Sequence, residues 1–133
     1  MLPGWNFKRK LVEFLMSPQL QSLTDRLIAF RDARDWKQFH SLKNLILSVS
    51  VEAAELLELT QWKDDKDLEA LVDDPDFRTD LAHECADVLI YLLLIGESAG
   101  FDLVAAASEK IEINAEKYPV EKARGNARKY TDL

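Results

Sequence analysis

Apolar residues recur along most of this chain at helical spacing, and two segments carry the pattern most clearly. Between Ser41 and Thr60 (SLKNLILSVSVEAAELLELT), Leu45, Val49 and Leu56 fall in one narrow sector of a helical wheel, since successive residues turn by about 100°. Between Asp80 and Ala99, Leu81, Val88 and Ile95 share a sector in the same way, and the run Val88–Ile95 is apolar all round. A third stretch starts at Ser22 or Thr24 and reaches Arg34, with Leu23, Leu27, Phe30 and Ala33 as its inward side. A fourth, Asp102 to about Lys117, presents Leu103, Ala106, Ala107, Ile111 and Ala115. Ser22, Ser41, Thr79 and Asp102 stand where N-terminal caps are expected, while Gly100 and Pro119 are helix stops.

The intervening segments are polar. Lys63–Asp76 is acidic, closes with Asp74-Pro75-Asp76 and reads as a loop with one short helix at Asp67–Val72. Ahead of the first clear helix, Lys10–Met16 forms either a short helix ended by Ser17-Pro18 or a docked arm. The pattern therefore predicts an all-α fold, a four-to-five-helix bundle, with residues 1–20 as an N-terminal arm or short helix and 21–133 as the domain. Because Val88–Ile95 asks for cover on every side, the pattern also predicts subunit association.

Composition narrows the class. With 133 residues, 47% of them hydrophobic, and only 4 Gly and 4 Pro, the chain suits one globular helical domain rather than a disordered or repetitive one. A net charge of −7 argues against binding a nucleic acid polymer, yet leaves room for a nucleotide that arrives with metal ions. The lone Cys85 excludes an intrachain disulfide, fits a reducing cytoplasm, and in an apolar helix reads as a buried, inert thiol. No secretory signal is expected in Met1–Pro18, and no apolar run approaches the roughly 20 residues of a membrane span.

The candidate chemistry lies on the two clearest helices. Glu52 and Glu55 are spaced i, i+3, as are Glu84 and Asp87 after the separating residues 56–83. Glu52 sits inside the stripe of Leu45, Val49 and Leu56; Glu84 lies beside Leu81 and Val88, and Asp87 continues that edge with Tyr91. Two like charges about 4 Å apart repel by roughly 4 kcal/mol at an effective dielectric near 20. Four carboxylates turned inward therefore need protons or cations among them. With no His or Cys in the pairs, the all-oxygen set favours Mg²⁺, with Mn²⁺ as a substitute, over zinc, and points to phosphoryl chemistry. Trp36, Phe39 and His40 bunch together in the connection Arg34–Asn44, as a base-stacking surface or a hydrophobic plug. The basic tail, with Lys122, Arg124, Arg128 and Lys129, reads as a lid over an anion or as a solvated end.

Glu52-Ala-Ala-Glu55 followed by Glu84-Cys-Ala-Asp87 resembles the ExxE…ExxD signature of the all-α nucleoside triphosphate pyrophosphohydrolases, the MazG-like superfamily. RDWKQFH (34–40), KN (43–44), QWK (61–63), DVLIYL (87–92), Lys110, Asn114, Lys117-Tyr118-Pro119 and the closing RKYTDL (128–133) are similar to its dCTP pyrophosphatase branch. The likeness covers roughly Asp25 to Leu133. It implies Mg²⁺-dependent hydrolysis of a deoxynucleoside triphosphate, dCTP or a modified dCTP, to the monophosphate and pyrophosphate, in nucleotide-pool cleansing. It further implies metal ligation by Glu52, Glu55, Glu84 and Asp87, with one glutamate orienting the attacking water. Trp36, His40 and Trp62 would form the base pocket, Tyr91 would contact the nucleotide, and Asn44, Lys110 and Asn114 would face sugar or phosphates. A homo-oligomer is implied too, a tetramer or a dimer, with sites built across subunits. One departure is Leu27, nine residues before Trp36, where vertebrate relatives carry histidine; it bears on base or sugar discrimination.

Two other classes fit the residues less well. A carboxylate-bridged di-iron bundle uses ExxH pairs, whereas His83 precedes Glu84. A non-catalytic helical adaptor would use the acid pairs as ion networks and show no turnover. A broader-specificity triphosphate pyrophosphohydrolase is the alternative within the same superfamily.

Overall fold

The structure, a computed structural model, describes residues 18–133. The expected helix or arm over Lys10–Met16 lies outside the described residues. Every described element is helical: α1 (Pro18–Asp32), a 3₁₀ turn (Lys37–Phe39), α2 (Leu42–Glu58), α3 (Asp65–Leu71), α4 (Pro75–Ala99), α5 (Leu103–Lys117), α6 (Val120–Ala123) and a 3₁₀ turn (Tyr130–Asp132). Residues 18–100 form one compact unit, and 101–133 belong to a second. The all-α expectation holds; the described residues form six α-helices rather than four to five, and several boundaries move.

In the first unit, α4 is the axis. At 25 residues it runs about 37 Å, and α2 packs along it most extensively, with α1 on the same helix. Ser41 Oγ accepts the Asn44 N–H at 3.2 Å and so starts α2 as the sequence suggests. Asp74 Oδ2 accepts the Phe77 N–H at 2.9 Å, with Pro75 as the first helical residue, so α4 begins well before the expected Thr79. Asp-Pro-Asp is therefore not the close of a loop but a cap followed by a proline whose missing N–H costs nothing in the first turn. Thr79 lies inside the helix, its hydroxyl donating to the Pro75 carbonyl. Gly100, at φ 78°, ends the helix in the left-handed conformation glycine tolerates. Asp64 and Asp67 form a reciprocal capping box at the start of α3.

The inward side of α1 also differs from expectation. α1 already includes Pro18, so Ser22 lies in its interior rather than at an N-terminal cap. Thr24 and Arg31 are buried, Leu23, Leu27 and Ile28 half-buried, while Phe30 and Ala33 face out. A wheel scored on hydropathy alone misses a register in which an ion-paired arginine occupies the core side.

Little apolar surface is fully enclosed. Leu45 of α2 and Leu93 and Leu94 of α4 are the buried apolar side chains of the described residues. Leu42, Ile46, Leu47, Val51 and Leu57 on the other sides of α2 remain 46–68% exposed. Cys85 is exposed as well, correcting the buried-thiol reading. An apolar groove of about 440 Å³ lies between the end of α2, α3 and the start of α4, lined by Leu56, Leu57, Leu68, Val72, Phe77 and Leu81. In the second unit, Asp102 Oδ1 accepts the N–H groups of Val104 and Ala105 and caps α5, while Tyr118 packs edge-on against Tyr130.

Leu45, 2% exposed, is the best-buried side chain at the α2–α4 contact. Leu45→Ala should lower unfolding free energy by about 2–5 kcal/mol, against about 1 kcal/mol for loss of the Asp74 cap in Asp74→Ala. Urea denaturation checks both; an equal effect of the two would place the core elsewhere.

Candidate metal centre and its surroundings

The stripe of α4 that faces α2 is made by Leu81, Glu84, Asp87, Val88 and Tyr91, all half-buried, while Ala82, His83 and Cys85 point away. Opposite it, Leu45, Val49, Glu52 and Leu56 line the inner side of α2. Both helices put acids into an otherwise apolar contact, because i, i+3 spacing keeps each pair on one face. One carboxylate oxygen from each of Glu52, Glu55 and Glu84 can be chosen so that all lie within 4.8 Å of one another. Asp87 stands outside that tight group, yet its charge is felt by both Glu52 and Glu84.

The electrostatics register the crowding. Partial burial, then the Glu55, Asp87 and Glu84 carboxylates, hold Glu52 above the usual carboxylate range. Glu84 is raised chiefly by loss of solvent, then by Glu55, Asp87 and Asp80, with His83 acting weakly in the opposite direction. Glu84 Oε2 is buried without a hydrogen-bond partner. A buried acceptor without a donor, in a cluster of hard oxygen ligands, fits a divalent cation of the Mg²⁺ or Mn²⁺ kind.

The residues expected around a nucleotide are placed as follows. Trp36, 45% exposed, meets Phe30 edge-on with ring centroids 5.7 Å apart. The Arg34 guanidinium lies 3.6 Å from the centre of the Phe30 ring and 5.8 Å from that of Trp36. His40 is half-buried and its Nδ1 has no partner. Asn44 spends one amide N–H on the Phe39 carbonyl at 3.1 Å, tying the 34–40 connection to the start of α2. Trp62 is 93% exposed with φ 62°, an unusual backbone for a bulky residue. Tyr91 is half-buried on α4. Lys110 and Asn114 are exposed on α5, in the second unit. Phe30, Arg31 and Arg34 are additions that sequence reasoning misses. The RDARDW string offers no motif for them, only a cluster of charge beside one aromatic residue.

These features define an all-helical protein whose candidate centre is a carboxylate cluster shared by two helices. The chain belongs to the MazG-like family, whose model matches residues 47–133. It is 40% identical over 120 residues to dCTP pyrophosphatase 1 of Rattus norvegicus and 39% to that of Homo sapiens, covering 90% of this chain and 71% of each relative. A crystal structure of a pyrophosphatase from Archaeoglobus fulgidus superposes with a TM-score of 0.70 at 40% identity, covering 77% of this chain and 94% of that one. Among the described residues, no single helix is long and apolar enough to cross a membrane.

The raised acids set a pH dependence. Glu52 and Glu84 bind protons more tightly folded than unfolded, so their contribution to stability is complete below the ordinary carboxylate range and is lost as pH rises through their raised values. In a chelator, unfolding free energy should therefore fall as pH rises from the ordinary carboxylate range through those raised values, and saturating Mg²⁺ should remove that fall. Denaturant titrations across this range check it; a slope unchanged by Mg²⁺ and by Glu52→Gln/Glu84→Gln contradicts the cluster.

Proposed function

We propose that this chain hydrolyses dCTP or a modified dCTP between the α and β phosphates, consuming one water and releasing the deoxynucleoside monophosphate and pyrophosphate. The observation that carries the reading is the approach of Glu52, Glu55 and Glu84 to within 4.8 Å in a chain about 40% identical to dCTP pyrophosphatase 1 over most of its length. Glu52, Glu55, Glu84 and Asp87 would hold Mg²⁺, or Mn²⁺ in its place. When bound, such an ion neutralises phosphate oxygens, polarises the α-phosphorus and lowers the pKa of bound water.

The chain's own residues do the rest. The apolar side chains around Glu52 and Glu84 exclude solvent and strengthen every charge interaction there. A glutamate with a raised pKa is suited to accept a proton from the attacking water and still return to the carboxylate form. Trp36, His40 and Trp62 serve the base, Tyr91 the nucleotide, and Asn44, Lys110 and Asn114 the sugar or phosphates. Leu27, where histidine stands in vertebrate relatives, removes one hydrogen-bonding group from the neighbourhood of the base. That supports a broader-specificity pyrophosphohydrolase as the second reading.

The working unit is a homo-oligomer, a tetramer or a dimer. Support comes from the exposed apolar sides of α2, the groove beneath α3, and the strained, exposed Trp62. Its setting is the cytoplasm, where it cleanses the nucleotide pool.

Incubation with each canonical and modified deoxynucleoside triphosphate plus Mg²⁺ should release pyrophosphate, fastest from a cytosine nucleotide; none from any nucleotide would overturn the reading. Glu52→Gln or Asp87→Asn should cut kcat about a hundredfold or more while the helical circular dichroism stays unchanged. Trp62→Ala should raise KM about tenfold, the scale of losing one base-stacking contact. A loss of stability alone would return Trp62 to a structural role.

A further inference from the structure

We propose that Arg31 is a positioning residue for the nucleotide base, linking Trp36 to the helix that carries Glu84 and Asp87. The proposal rests on the reading above, in which Trp36 contacts the base.

Arg31 is only 5% exposed, whereas the other arginines among the described residues are exposed. Its Nη1 donates to Glu97 Oε2 at 3.2 Å and its Nε to Asp32 Oδ1 at 2.8 Å. Among the described residues, the Arg31–Glu97 bond is the only side-chain hydrogen bond between residues more than five apart, and the only ion pair joining two helices. The pair is only part-buried, the Glu97 side chain being 32% exposed, and such a pair is weak as a stabiliser. Directed N–H donors do something else: they fix one register between α1 and α4, where leucines could slide.

The same residue holds Trp36 through its backbone. The Trp36 N–H donates to the Arg31 carbonyl at 3.1 Å and the Asp35 N–H to the Asp32 carbonyl at 3.1 Å, with Asp35 in the left-handed conformation at φ 53°. This is a Schellman ending of α1, completed by contact of Trp36 with Phe30 one turn back. Arg31 therefore grips α4 with its side chain and Trp36 with its carbonyl. Arg31 thus links the indole to α4 from the α1 side, while Asn44 ties the same connection to α2.

Steady-state kinetics of the full chain with dCTP and Mg²⁺ test this. Arg31→Met should raise KM about tenfold with kcat within about twofold, and Arg31→Lys should recover part of the loss. Trp36→Ala placed on Arg31→Met should add little further to KM, because both act through the same ring. Hydrogen exchange at the Trp36 amide should quicken in Arg31→Met whether or not the protein turns over dCTP. A wild-type chain that releases no pyrophosphate thus defeats the proposed function and leaves the link itself to be judged by exchange. Should Arg31→Met fail to fold, Glu97→Gln carries the same expectations at about threefold. An unchanged KM with only a lower melting temperature, additive effects of Arg31 and Trp36, or unaltered exchange at Trp36 would each overturn the proposal.

Discussion

Repulsion among carboxylates across the α2–α4 contact is the constraint on which the rest of this molecule depends. The two helices could pack at no electrostatic cost if positions 52 and 84 were leucine. Instead Glu52, Glu55 and Glu84 are brought within 4.8 Å, and one oxygen of Glu84 is buried without a donor. Such an arrangement is expensive for the metal-free protein and becomes favourable once a doubly charged ion is shared among the oxygens. Stability alone does not account for these acids; the proposed metal-bound phosphate would.

The surroundings follow from that centre. α4 carries the acids near its middle and the anchor of α1, Glu97, near its C-terminal end. Leu45 of α2 and Leu93 and Leu94 of α4 are the fully buried apolar side chains of the described residues, a small core. The remaining apolar surface of α2 is left outward, and the proposed assembly rests on it. Trp36 stands at the end of α1 because a left-handed residue at Asp35 reverses the chain and a carbonyl at Arg31 catches it.

Much of this is legible in the sequence, and for definite reasons. The pairing of Glu52 with Glu55 and Glu84 with Asp87 depends only on helical periodicity, so residue spacing alone puts each pair on a common face. Ser41, Gly100 and Asp102 are readable because cap chemistry is local. Three features are not. The start of α4 falls earlier than expected because Asp-Pro-Asp suits both a turn and a cap with proline behind it, and only the Phe77 N–H decides. The face of α1 keeps Leu23 and Leu27 but shifts by about one residue towards Arg31, because hydropathy ranks Phe30 above Arg31, whereas a partner 66 residues away reverses that order. Cys85 has apolar neighbours in sequence that suggest burial, yet it falls on the side of α4 away from α2.

The central claim is that acids from two helices hold divalent ions against a triphosphate. Anomalous diffraction from crystals grown with Mn²⁺ and a non-hydrolysable dCTP analogue addresses it most directly. The account predicts manganese peaks within coordination distance of Glu52, Glu55, Glu84 and Asp87, bridged to phosphate oxygens. Manganese found elsewhere, with those four side chains free of metal and the triphosphate bound away from α2 and α4, would contradict it.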